Sequence, residues 1–69
     1  MTTTNYKTWL RNILQEERDG VLEYERLLIS LKVSGYQAST GYKKIQEILA
    51  DEKSHVRMLS KILQSMEEA

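Results

Sequence analysis

The chain contains no cysteine and no proline, and only three glycines and one histidine among its 69 residues. Without cysteine there is no disulfide to staple a small domain and no thiolate for a zinc ribbon or a redox centre. The same absence fits a reducing cytosol, so cytoplasmic residence is the expectation. An excess of one charge is also missing: ten Lys and Arg side chains balance ten Asp and Glu, for a formal net charge of zero. No general electrostatic pull toward nucleic acid follows from that balance. No apolar run approaches the ~20 residues needed to span a bilayer, and Met1–Asn5 has neither the basic nor the apolar region of a signal peptide. Nucleic acid and membrane are therefore not expected as partners.

What is present is a short chain that reads as one domain over 1–69. Ordering each residue costs roughly 1.5 kcal/mol in conformational entropy, and a chain of this size buries little apolar surface to offset it. With no disulfide available, a partner chain, a metal or both must help, and self-association is the default expectation.

The apolar residues predict an all-α chain. From Asn5 to Val33 they are Tyr6, Trp9, Leu10, Ile13, Leu14, Val21, Tyr24, Leu27, Leu28 and Leu31. Their steps of three and four mark one face of a helix, not the alternation of a strand. Thr4 or Asn5 can cap the first turn. The segment 34–40 holds the only turn-like chemistry: Gly35 suits a helix end that needs positive φ, and Ser39 or Thr40 suits the next N-cap. A second helix is expected over about 41–65, after a first over about 5–33. Gly20 costs ~1 kcal/mol inside a helix, yet the periodicity stays in phase across it, so one long helix with a packing reason for the glycine is the expectation.

Written in sevens, helix one has a seam of Leu10, Glu17, Tyr24 and Leu31. Beside it run the row Ile13, Gly20, Leu27 and the row Leu14, Val21, Leu28. Helix two has a seam of Ile45, Glu52, Leu59 and Met66, with the rows Ile48, His55, Ile62 and Leu49, Val56, Leu63. Glu17, Glu52 and His55 interrupt otherwise apolar faces, and burying such groups without partners costs several kcal/mol. In an antiparallel hairpin they lie roughly 24, 18 and 22 Å from the turn at 1.5 Å per residue, within about one helical turn of each other. Two hairpins around a two-fold axis would bring four carboxylates and two imidazoles to one level. That is the ligand set of a carboxylate-bridged di-metal centre, one Glu from each of two helices and Glu-x-x-His from each of the others. Oxygen and nitrogen donors without thiolate suit iron or manganese, with zinc as a substitute. Gly20, one turn from Glu17, would leave room beside the metals.

Glu17-x-x-Gly20-x-x-x-Tyr24-Glu25, followed by Asp51-Glu52-x-x-His55, resembles the half-motif of rubrerythrins and encapsulated ferritins in the ferritin-like superfamily. The likeness covers roughly residues 10–65. It implies an antiparallel hairpin that dimerises into a ferritin-like four-helix bundle, with Glu17, Glu52 and His55 as iron ligands and two irons per dimer. It implies ferroxidase or peroxide- and dioxygen-reducing activity, Tyr24 near the site as a hydrogen-bond or redox neighbour, and an enclosing protein shell as a partner beyond the homodimer or higher ring. Rubrerythrins carry both half-motifs and a cysteine-ligated iron; this chain has one half and no cysteine, which matches the single-hairpin plan.

Plainer readings accompany these. Tyr24, Trp9 and the methionines read as packing. Glu16, Glu47 and Asp51 fall just off the seam, as a solvated flank. Leu22 and Ile29 form a second small apolar strip behind the main face, suited to exposure or to joining dimers into a ring. The alternative to a di-iron enzyme is a non-enzymatic hairpin that dimerises or docks on a partner helix, with its core polar groups fixing register.

Overall fold

The computed structural model describes residues 5–68, which form two α-helices and, among the described residues, no strand. Helix α1 spans Tyr6–Val33 and α2 spans Thr40–Glu68. The helices run antiparallel, as the turn requires, and the Arg11 guanidinium donates to the Glu67 carboxylate across their open end.

Local chemistry explains each boundary. Asn5 caps α1, its side-chain oxygen accepting from the Thr8 N–H at 3.1 Å; Thr4, the other candidate, lies outside the described residues, with most of the start that was read as leaderless. At the far end, the Tyr36 N–H donates to the Leu31 carbonyl and the Gly35 N–H to Lys32. This double closure needs a left-handed residue after the cap, and Gly35 supplies it with φ 89°. Ser39 then starts α2 twice over: its hydroxyl donates to the Tyr36 carbonyl at 2.7 Å and accepts from the Tyr42 N–H at 3.1 Å. The helix continues three residues beyond the expected end, because neither Gly nor Pro stops it and Met66 keeps the three-and-four spacing. No break occurs at Gly20.

The two helices meet through their seams and through one of the two flanking rows. Leu14 and Leu28 from α1 and Tyr42 and Leu49 from α2 are buried, and Val21, Tyr24, Leu31 and Ile45 pack against the cluster that Leu28, Tyr42 and Leu49 form. The other row stays outside. Leu27 is 42% exposed, Ile48 40% and Ile62 49%, on the same side as Gly20 and His55. Trp9 is exposed and stacks on Tyr6 with ring centroids 6.3 Å apart. The expectation that Trp9 and the methionines serve as packing is thus corrected for Trp9 and Met58, which are both exposed in the hairpin, whereas Met66 is half-buried and Met1 lies outside the described residues.

The result is a rod of 54 × 21 × 14 Å with a Cα radius of gyration of 16.0 Å. A compact chain of this length would have a radius near 11 Å. One hairpin is a single layer, whereas a stable domain packs two.

Candidate metal centre

Glu17 reaches the site from the middle of α1, and Glu52 and His55 reach it from successive turns of α2. The i, i+3 spacing of the latter pair puts both on one face. Each of the three residues offers a ligand atom, and these atoms lie within 4.8 Å of one another. They sit on the edge of the interhelical face and not in its centre. Glu17 and Glu52 are half-buried, while the His55 side chain is 50% exposed. They were expected at core positions, but a two-helix layer covers only one side of each seam, so the ligand set is open toward the uncovered row.

The donors are poorly satisfied by one another. His55 Nδ1 lies 3.7 Å from Glu17 Oε2, too far for a hydrogen bond. That oxygen is buried and has no hydrogen-bond partner among the described residues. An acceptor removed from water and left unpaired costs about 1–3 kcal/mol, more when charged. The pKa of Glu52 is raised, chiefly because its protonated form can hydrogen-bond to Glu17, then by partial burial and by the Glu17 charge, with His55 acting in the opposite sense. A carboxylate drawn against another behaves this way, and a cation between them would relieve both strains.

Gly20 supplies the space. A Cβ at this position would sit 3.2 Å from Glu52 Oε2 and 3.9 Å from its Cδ. The glycine thus lets the Glu52 carboxylate fold back against α1, which is the packing reason its place in a helix calls for. Gly20, Tyr24, Leu27 and Glu52 line an open groove beside the ligand atoms, with Glu23 and Arg26 at its mouth. Tyr24 is partly buried, packs against the core cluster and borders this groove, so both roles considered for it remain compatible with its position. Glu16, Glu47 and Asp51 are exposed and offer no ligand atom to the cluster, although the Asp51 charge adds to the raised pKa of Glu52. One feature had no counterpart in the sequence reading: Arg18, Lys53 and Arg57 gather on the opposite flank. Lys53 and Arg57 at i, i+4 are the only sequence signal for it.

Glutamate oxygens and an imidazole nitrogen, with an orphaned oxygen and a cradle kept clear of a Cβ, fit a first-row divalent metal such as iron or manganese. One hairpin supplies three donors, fewer than the four to six such ions take. Comparison with known proteins returns no protein-family model, no curated protein and no solved structure that matches this chain, so the functional reading rests on these side chains and their surroundings.

Proposed function

We propose that two copies of this hairpin pair through their uncovered rows into a ferritin-like four-helix bundle, and that the bundle holds two iron ions and oxidises Fe(II) with dioxygen or peroxide. The observation that carries this reading is the convergence of Glu17, Glu52 and His55 on the flank where Leu27, Ile48 and Ile62 lack cover. A helix that packs on one neighbour needs a stripe about 100° wide. Each helix here carries three apolar rows, one more than its partner in the hairpin covers, and a bundle gives each helix a second neighbour.

In such a dimer each Glu17 would sit near the partner copy's carboxylates, and each Glu52–His55 pair would supply one oxygen and one nitrogen donor. Bound as Fe(II), the two metals would together supply two electrons to dioxygen or peroxide. The carboxylates would balance the charge of the ferric product. Gly20 gives Glu52 freedom to change its position, and Tyr24, Leu27 and the aromatic pair at Trp9 would limit access of water. Manganese or zinc would occupy the same donors without the ferroxidase outcome. Residence in the cytoplasm, and inside a protein shell, belongs to the same proposal.

The non-enzymatic alternative, a register device, is less well supported. Polar groups that fix register do so by satisfying one another, and Glu17 Oε2 is left without a partner. Aerobic addition of Fe(II) separates the two. Ferric absorbance should form faster than buffer autoxidation and saturate near two irons per dimer, and Glu52→Ala or His55→Ala should abolish it. Iron that oxidises only at the buffer rate would leave the hairpin as a docking module.

A further inference from the structure

The flank opposite the candidate metal centre has a different chemistry. There the seam between α1 and α2 opens into an apolar groove of about 460 Å3, floored by Val21, Leu22 and Val56 and bordered by Arg18, Lys53 and Arg57. Leu22 is 51% exposed, and Ile29, seven residues along the same face, is 64% exposed, extending the apolar strip by roughly 10 Å. None of the three cations takes part in the ion pairs or side-chain hydrogen bonds among the described residues. No acidic residue lines the groove, although the chain has ten.

Arg and Lys lay their aliphatic stems along apolar surface and hold their charges at its border, so this groove offers an apolar floor with a cationic edge. It is shallow, whereas small-molecule sites enclose most of their ligand. A helix fits such a seam, because side-chain ridges settle into the groove between two others and apolar anchors recur at i, i+3 or i+4, and i+7. The geometry points to a docking site for an acidic amphipathic helix of a different protein. Its apolar anchors fill the Val21–Leu22–Val56 groove and reach Ile29, and its Asp or Glu residues face Arg18, Lys53 and Arg57. Charge sorts the two flanks: the same helix is repelled from the side that carries Glu17 and Glu52. Two-fold pairing of this flank with a second copy is disfavoured, since it would bring the three cations toward their own mates. The inference is independent of metal binding.

The test uses the full-length, 15N-labelled chain in EDTA. The probe is a synthetic helical peptide of about 21 residues with leucines at heptad spacing and glutamates flanking the central ones. Saturable amide shifts should be confined to residues 18–29 of α1 and 53–57 of α2, and affinity should fall as salt rises. The same peptide with lysine for each glutamate should bind at least about tenfold more weakly. Combined Arg18→Glu, Lys53→Glu and Arg57→Glu substitution should reverse that preference, and Leu22→Asp should weaken both peptides. These are exposed positions, so the variants should keep the helical circular dichroism of the parent. Equal binding of the two peptides, shifts centred on Trp9 and Ile62, or no saturable shift would overturn the inference. So would self-association of the peptide-free chain that Leu22→Asp disperses, or preference for phosphatidylglycerol vesicles over the glutamate peptide.

Discussion

Glu52 is held where its charge is least welcome, beside Glu17 and against a glycine that gives it room. Its folded-state pKa is raised above the ordinary 4.5, so the folded chain binds this proton more tightly than the unfolded chain does. The ionised group therefore weakens the metal-free fold above the raised pKa. That penalty disappears as the pH falls through the raised pKa toward 4.5. In EDTA, Glu52→Gln should be more stable than the parent at neutral pH, and its advantage should shrink on acidification; paired urea melts at several pH values measure the difference. Gly20→Ala tests the same arrangement from the other side. Alanine favours the helix by about 1 kcal/mol, but its Cβ must push back a carboxylate oxygen now 3.2 Å away. The variant should gain metal-free stability by up to that amount and show a smaller rise in melting temperature with Mn(II). A full metal response in Gly20→Ala would show that the glycine is not there for Glu52.

The two helices owe their ends to a few capping groups, and these are separable from the candidate centre. Ser39→Ala removes the acceptor for the Tyr42 N–H and should cost about 1 kcal/mol. Gly35→Ala forces a side chain into φ 89° and should cost about as much. Each should lower the melting temperature by roughly 4–8 °C and leave metal stoichiometry unchanged, as thermal melts and metal analysis on the same samples would report. Much of this level was legible in the sequence, because caps and glycines act through the backbone within four residues of themselves. Asn5, Gly35 and Ser39 sit where their side-chain chemistry predicts. The end of α2 was not legible, since nothing in Gln64–Ser65–Met66 either stops or continues a helix strongly. The site residues could be found because a charge inside an apolar face stands out against its neighbours. Their half-exposure could not, since which row a hairpin covers depends on how the two helices rotate against each other. That rotation is fixed by Leu14, Leu28, Tyr42 and Leu49 together and not by any local pattern. The misjudged role of Trp9 has the same origin.

Two helices in one layer, with one of the three apolar rows on each left uncovered, would make the proposed dimer the unit whose stability counts. A protomer whose fold depends on a second copy melts at a temperature that rises with concentration, and ligand bound only by the folded pair adds about 2.7 kcal/mol at a hundredfold excess over its dissociation constant. Leu27→Glu or Ile48→Glu, both in the uncovered rows, should yield a monomer by sedimentation equilibrium and lose iron uptake, although neither residue belongs to the ligand set. A dimer that survives either change would place the interface elsewhere. The exposed stack of Tyr6 on Trp9 borders the groove of Leu10, Ile13, Ile62 and Met66 on that same side. Trp9 is also the chain's single indole. Its fluorescence would therefore be a built-in reporter of the proposed pairing: a wet, red-shifted emission for the lone hairpin, which should move to the blue if a second copy closes over it, with no dye attached.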